Sequence, residues 1–166
     1  MKGKLNIKTL TQNGDVVHLI KNFLPLKECS RWVENIPSPK LDPRFKAWQD
    51  RVTTITEYPI VKHLSQFLEA SFKIPLKIQE AQTQIWQEQS SSSLHNHFDQ
   101  GRGATRYNSL IYLNNNYEGG EFYTQGGIRL KPEVGMLTFF DGQKVHHGVS
   151  PITKGHRFTL IFYWKE

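Results

Sequence analysis

The 166-residue sequence contains one cysteine, Cys29, and no uninterrupted apolar run near the roughly 18 residues that a membrane span needs. A single cysteine excludes an internal disulfide framework and a cysteine-based zinc finger. Residues 1–7 carry charge but lack the apolar segment of a secretory signal. We therefore expect a soluble, cytoplasmic protein of a reducing compartment, with no membrane partner.

Clusters of basic residues are also absent. The formal net charge is +6 at pH 7, and the excess of Lys and Arg lies in the first 77 residues. These residues are scattered, whereas a nucleic-acid surface usually gathers them on one face or stripe. The charge therefore favours a mildly basic, solvated surface over a nucleic-acid partner.

The apolar content is sufficient for a folded core, because 37% of the residues are hydrophobic and 12% are aromatic. The length fits one domain, which we predict over residues 1–166. Hydrophobic spacing predicts a strand at 16–20 and amphipathic helices at 26–36 and 60–72. Three prolines within residues 37–50 predict a long loop there.

The character of the sequence changes at residue 78. From there to residue 166, β-branched and aromatic segments alternate with turn signals, and no helix pattern lies between them. The predicted strands are 78–87, 107–114, 120–124, 128–131, 134–140, 145–150 and 156–164, and residues 90–93 are predicted as a polar loop. This order favours antiparallel sheets, as a sandwich or jelly roll, packed against the helices of residues 1–77. The predicted class is therefore mainly β with N-terminal helices (α+β).

Five of the seven histidines lie between residues 95 and 156, at His95, His97, His146, His147 and His156. In an extended chain, residues i and i+2 point to the same side, so His97 and Asp99 can reach one point in space. An imidazole from the distant segment 145–151 would complete a face of two histidines and one carboxylate. That donor set leaves metal positions open and suits non-haem Fe(II) chemistry with O₂.

A receptor for a carboxylate is predicted further along the chain. Arg157 lies ten residues after His147, and Thr159 shares its strand face. A guanidinium binds a carboxylate bidentately and stays charged, and a neighbouring hydroxyl can add a hydrogen bond. Arg102 and Arg106 are alternatives, but their place in the loop after Asp99 favours contact with substrate or solvent.

Several short motifs in residues 80–164 match the pattern of a known family. They are His97-Phe-Asp99, Tyr112-Leu-Asn, Gly119-Gly-Glu-Phe, Pro132-Glu-Val-Gly-Met-Leu-Thr-Phe, His147-Gly-Val-Ser-Pro-Ile and Gly155-His-Arg157-Phe-Thr. Together they resemble the 2-oxoglutarate and Fe(II)-dependent dioxygenases, and the prolyl 4-hydroxylase branch is the most similar. The resemblance implies a double-stranded β-helix (jelly roll) core over residues 78–166, with about two packing helices.

The resemblance also implies a role for each matching residue. His97, Asp99 and His147 would be the ligands of Fe(II). Arg157 would pair with the distal carboxylate of 2-oxoglutarate, with the hydroxyls of Tyr112 and Thr159 beside it. O₂ would be the second co-substrate, and ascorbate is the expected reductant.

Three neighbours of the motifs need separate interpretation. Trp86 stands near a position where members of the family often have tyrosine, and an indole cannot accept a hydrogen bond as a phenol can. His95 is expected at a polar rim, because His95-Asn-His97 lacks the carboxylate of the family pattern. His146 is expected to point away from the face of its neighbour His147.

Three functions follow as hypotheses. The first is hydroxylation of a peptidyl residue, above all proline, coupled to conversion of 2-oxoglutarate to succinate and CO₂. The second is the same chemistry on a free amino acid, another small molecule or a nucleobase, because loops such as 37–50 and 87–96 select the substrate. The third is a non-enzymatic cupin-like binding module, which is disfavoured because no glutamate follows His97 before Glu118.

Overall fold

The computed structural model describes residues 4–36, 52–97 and 105–166. Within these ranges the chain forms two helices, α1 (Leu26–Asn35) and α2 (Pro59–Phe72), and thirteen strands. The strands are β1 (Ile7–Gln12), β2 (Asp15–Ile20), β3 (Val52–Thr54), β4 (Lys77–Trp86), β5 (Ser92–His95), β6 (Tyr107–Tyr112), β7 (Glu118–Gly119), β8 (Phe122–Thr124), β9 (Arg129–Leu130), β10 (Leu137–Asp141), β11 (His147–Val149), β12 (Ile152–Lys154) and β13 (Arg157–Lys165). The predicted loop at 37–50 lies outside the described residues.

Seven strands form one antiparallel sheet in the order β1-β2-β10-β6-β13-β4-β3. Strand β13 pairs with β4 on one side and β6 on the other. Because side chains alternate along a strand, β13 directs Arg157, Ile161 and Tyr163 to the inner face of this sheet. The side chains between them face the opposite side and pack into the core, namely Phe158, Leu160 and Phe162.

Four further strands form a second antiparallel sheet in the order β5-β11-β8-β9, and β7 pairs with β12 beside it. Apolar side chains of both large sheets meet in one cluster, which includes Phe122 of β8 and Phe140 of β10. Two antiparallel sheets packed in this way form the double-stranded β-helix, or jelly roll. The predicted fold class, mainly β with N-terminal helices, is confirmed.

The helices cover the outer face of the seven-stranded sheet. Leu64 and Leu68 of α2 are fully buried, and they pack in one cluster with Cys29 of α1 and Ile111 of β6. Proline at the first position of α2 is well suited there, because that position needs no backbone donor. This outer layer leaves the inner face of the sheet available for a cavity.

Several short strands differ from the sequence-based expectations. Strand β1 pairs with β2 through a tight Asn13-Gly14 turn, in which both residues have positive φ, 47° and 86°. An Asn-Gly turn of this kind is typical of two-residue hairpins. The sequence-based expectations include the strand at 16–20 but not its partner β1. Residues 90–93, expected as a polar loop, contribute their last two residues to β5. The reason is tertiary, because β5 is held by pairing with β11.

Among the described residues, the structure contains no helix that is both long and apolar enough to cross a membrane.

The packing of α2 can be tested with two leucines. Leu64→Ala removes a side chain that is 0% exposed, whereas Leu26→Ala removes one that is 63% exposed. We expect the first change to lower the free energy of unfolding by about 2–5 kcal/mol and the second by less than about 0.5 kcal/mol. Urea denaturation of both variants measures this difference, and equal losses would contradict the described packing.

Candidate active site

A cavity of about 350 Å³ lies between the inner faces of the two large sheets. The seven-stranded sheet contributes Arg157 and Trp86 to its wall, and the four-stranded sheet contributes His147 and His95. His97, which follows β5, also lines the cavity. Basic and imidazole side chains from distant parts of the sequence are therefore gathered around one small space.

His97 and His147, the two predicted metal histidines, are close together and buried. His97 is 4% exposed and His147 is 8% exposed, and their ring centroids are 5.1 Å apart. Together with His95 they offer ligand atoms that all lie within 4.8 Å of one another. This is the only such group of three or more candidate ligands within residues 4–36, 52–97 and 105–166.

The backbone around His97 leaves little free space. Its backbone N–H donates a hydrogen bond to the Gly142 carbonyl at 2.9 Å. A Cβ atom at Gly142 would lie 2.7 Å from His97 Nδ1, which is closer than real Cβ contacts allow. Glycine at residue 142 is therefore required for the imidazole of His97 to lie where it does.

His147 is held in one tautomer and kept neutral. Its Nδ1–H donates to the Val145 carbonyl at 2.8 Å, because a carbonyl can only accept. Burial lowers the pKa of His147 to about 3, and the charges of the other histidines act in the same direction. A neutral ring with Nδ1 occupied leaves the Nε2 lone pair as a metal ligand.

The remaining predicted ligand and the remaining histidines have different positions. Asp99 lies outside the described residues, so the predicted carboxylate ligand stays a prediction. His95, expected at a rim, is half-buried and belongs to the histidine cluster. His146 Nε2 lies 3.1 Å from Asn96 Nδ2, and His146 is not among the residues that line the cavity.

Arg157 is 0% exposed, and its guanidinium carbon lies 5.4 Å from the ring centroid of Trp86 and 5.1 Å from that of Tyr112. Its Nε, Nη1 and Nη2 atoms have no hydrogen-bond partner in the described part of the chain. A buried charge is costly unless it is paired. The two aromatic faces offset part of that cost, and the unused N–H donors form a receptor for an anion.

Two buried hydroxyls, of Tyr112 and Thr159, belong to the strands that carry and flank Arg157, although neither residue is among those that line the cavity. Thr159 is the strand partner of Tyr112, and neither side-chain oxygen has a hydrogen-bond partner within the described ranges. Burial raises the pKa of Tyr112, and the charge of Arg157 opposes that rise. Thr138 and Arg157 are near enough to affect the Tyr112 hydroxyl, yet neither contact has the geometry of a hydrogen bond.

Trp86 stands near a position where members of the family that the sequence resembles often have tyrosine. It lies directly opposite Arg157 across β4 and β13, and its indole face covers the guanidinium. Its Nε1–H donates to Gln84 Oε1 at 3.3 Å. Trp86 therefore acts on Arg157 through its ring face, without the hydroxyl that a tyrosine would supply.

The alternative arginines of the sequence analysis differ from Arg157. Arg102 lies outside the described residues. Arg106 Nη2 forms an ion pair with Asp141 Oδ2 at 2.8 Å, and Arg106 does not line the cavity. Of the arginines in the described ranges, Arg157 is the one that lines the cavity.

Two polar residues of this region were not predicted from the sequence. The amide of Asn108, a fully buried residue, lines the cavity and has no hydrogen-bond partner among the residues described. Asn108 shares one face of β6 with Leu110 and Tyr112, and this alternation could have indicated its position. Burial raises the pKa of Tyr117 to about 12, opposed by the nearby Arg157 charge. Tyr117 lies outside any regular strand, so no pattern in the sequence indicated its position.

Comparison with known families gives a match over half of the chain. The model of the 2OG-Fe(II) oxygenase superfamily matches residues 82–165. Human prolyl 3-hydroxylase 2 is 35% identical over 65 residues, and the rat protein of the same name is 34% identical over 65 residues. The matched stretch covers 35% of this chain but only 9% of either protein.

Comparison with solved structures supports the jelly-roll architecture. The 2OG complex of viral collagen prolyl hydroxylase from Paramecium Bursaria Chlorella virus-1 has a TM-score of 0.69 and 16% identity, over 90% of this chain and 94% of that chain. A prolyl-4-hydroxylase from Pseudomonas putida has a TM-score of 0.66 and 17% identity, over 90% and 92% of the two chains. At these identities the likeness shows the fold alone.

The buried guanidinium leads to a prediction about stability. Arg157→Met removes a buried charge and keeps a long side chain, so we expect the ligand-free protein to become more stable by about 1–2 kcal/mol. Arg129→Met changes an exposed arginine and is the matched control, with an expected change below about 0.5 kcal/mol. Chemical denaturation without added dicarboxylate measures both values. A clear loss of stability in Arg157→Met would show that the guanidinium is already paired.

Proposed function

This chain belongs to the 2OG-Fe(II) oxygenase superfamily, and we propose that it is an Fe(II)- and 2-oxoglutarate-dependent dioxygenase that hydroxylates a peptidyl residue, most of all proline. The observation that carries the proposal is the buried, unpaired guanidinium of Arg157, which lines the same cavity as the histidine cluster. One cavity thereby offers a cation for an anion and imidazoles for a metal.

The donor set fits iron. We assign His97, Asp99 and His147 as the ligands, because two neutral imidazoles and one carboxylate leave positions open for a chelating co-substrate and O₂. When bound, Fe(II) supplies the redox chemistry that couples O₂ reduction and 2-oxoglutarate decarboxylation to hydroxylation of the substrate. The hydrogen bond from His147 Nδ1–H to Val145 holds the imidazole in its ligating tautomer.

The unpaired polar atoms around Arg157 fit a carboxylate. We assign the distal carboxylate of 2-oxoglutarate to the guanidinium, which can donate two parallel hydrogen bonds. The hydroxyls of Tyr112 and Thr159 are further donors for the same group, and each lacks a partner in the described ranges. The apolar side chains of Phe122 and Phe140 line the same cavity and would shield the methylene groups of 2-oxoglutarate from water.

The substrate assignment depends on different support. The matched relatives include proteins named as prolyl hydroxylases from human, a chlorella virus and Pseudomonas putida. By analogy with these relatives we assign a peptide or protein substrate, and we propose ascorbate as the reductant. Hydroxylation of a free amino acid, another small molecule or a nucleobase is the alternative, because loops such as 37–50 and 87–96 would select the substrate. The predicted loop at 37–50 lies outside the described residues. Membership of an oxygenase superfamily disfavours the cupin-like binding module.

The co-substrate assignment predicts a selective kinetic change. In a succinate-release assay with Fe(II), ascorbate and 2-oxoglutarate, Arg157→Ala should raise the apparent KM for 2-oxoglutarate well over tenfold. The loss of a buried charge-assisted contact typically costs about 2–5 kcal/mol. Arg157→Lys should recover part of the loss, because lysine keeps the charge without the fork. Iron content should stay close to that of the wild type.

Arg129→Ala is the control for this experiment, because Arg129 is exposed and pairs with Glu121. Its KM for 2-oxoglutarate should equal that of the wild type. If Arg157→Ala had a normal KM while Arg106→Ala lost 2-oxoglutarate dependence, the assignment of Arg157 would be wrong.

The substrate class has its own test. Succinate release should rise above the uncoupled rate with proline-containing peptides, and mass spectrometry should find a gain of one oxygen on proline. His147→Ala should abolish both signals, because it removes a metal ligand. Coupled turnover with free amino acids or methylated oligonucleotides, and none with peptides, would replace the peptidyl assignment by the alternative while leaving the dioxygenase chemistry intact.

A further inference from the structure

His95 is the third member of the histidine cluster, and the 2-His-1-carboxylate assignment leaves it without a role. We propose that His95 is a ligand of the metal, beside His97 and His147, in the protein before 2-oxoglutarate binds. This inference rests on the iron site proposed above. It adds a fourth protein ligand to that site and makes metal retention less dependent on Asp99.

Strand pairing places His95 against the metal histidines. His95 and His147 are direct partners across β5 and β11, so their side chains project from the same face of the sheet. Their ring centroids are 4.4 Å apart, and those of His95 and His97 are 5.9 Å apart. The three candidate ligand atoms all lie within 4.8 Å of one another. We expect rotation about the side-chain bonds to bring these atoms to one ion.

His95 and His147 are oriented by the same local hydrogen bond. His95 Nδ1–H donates to the Ser93 carbonyl at 2.8 Å, and His147 Nδ1–H donates to the Val145 carbonyl at 2.8 Å. In both cases the acceptor lies two residues earlier in the chain. Metal-bound histidines usually donate their other ring N–H to a carbonyl or carboxylate, which fixes the ligating tautomer. His95 therefore has the same outer contact as an assigned ligand.

The number of coordination positions defines when His95 can bind. A chelating 2-oxo acid takes two positions and O₂ takes a third, so three protein ligands fill a six-coordinate site during turnover. We therefore assign the contact of His95 to the state without co-substrate. His95 is half-buried at the cavity wall, where it can leave the metal without disturbing the buried core.

Metal binding of the apoprotein tests this role without measuring turnover. Co(II) is titrated calorimetrically under nitrogen into the wild type, His95→Ala, Asp99→Ala and the double variant His95→Ala/Asp99→Ala. We expect His95→Ala to weaken Co(II) binding at least tenfold, and Asp99→Ala to retain measurable binding. The double variant should bind at least tenfold more weakly than Asp99→Ala. His95→Gln, which keeps a polar side chain of similar size, should match His95→Ala if the imidazole is the ligand.

The visible absorption bands of bound Co(II) give a second readout. His95→Ala should alter these bands in the absence of 2-oxoglutarate, and saturating 2-oxoglutarate should remove the difference from the wild type. His156→Ala is the control, because His156 does not belong to the cluster, and it should leave affinity and spectrum unchanged.

The outcomes separate the two levels of the proposal. If His95→Ala and His95→Gln both bind Co(II) like His156→Ala, with and without Asp99, His95 is not a ligand and this inference is wrong. If His97→Ala and His147→Ala also bind Co(II) like the wild type, the proposed iron site itself is wrong. If His97→Ala and His147→Ala lose Co(II) binding while the His95 variants keep it, only the role of His95 is wrong.

Discussion

The guanidinium of Arg157 is fully buried between the rings of Trp86 and Tyr112, with no anion beside it in the described part of the chain. A charge in such a place is stable only if the surrounding structure holds it there. That support comes from β13, which pairs with β4 from Arg157 to Lys165 and with β6 from Thr159 to Trp164. The buried core on the outer face of the sheet stabilises these strands, so the apolar packing maintains the anion receptor.

The two sheets divide the proposed chemistry between them. Arg157 extends from the seven-stranded sheet, and His95 and His147 extend from the four-stranded sheet across the cavity. A ligand that satisfies both walls needs an anionic end for the guanidinium and metal-chelating oxygens at the other end. 2-Oxoglutarate has both. Trp86 adds no hydrogen bond to such a ligand, and instead covers one face of the guanidinium, which makes the indole compatible with this receptor.

Hydrophobic periodicity was sufficient to predict the two helices and the long strands, because it is strong in those segments. Strand order left a sandwich or a jelly roll open, and the family resemblance indicated the jelly roll. The resemblance indicated His97, His147 and Arg157 as site residues, and all three line the cavity; strand alternation does not explain the position of His97, which follows the end of β5. Strand β5 was not predictable, because a serine-rich segment has low strand propensity and becomes a strand only through pairing with β11. The position of His95 depends on that pairing. Tyr117 was missed for a similar reason, since its approach to Arg157 is set by tertiary structure.

The proposed function depends on recognition of the distal carboxylate of the co-substrate by Arg157. Calorimetric titration of the Mn(II)-loaded protein without O₂ can compare 2-oxoglutarate with 2-oxopentanoate, which has a methyl group in place of that carboxylate. We expect 2-oxoglutarate to bind about 30-fold or more tightly, equivalent to about 2 kcal/mol or more, and we expect Arg157→Met to lose this preference. Equal affinity of the wild-type protein for the two acids would contradict that recognition.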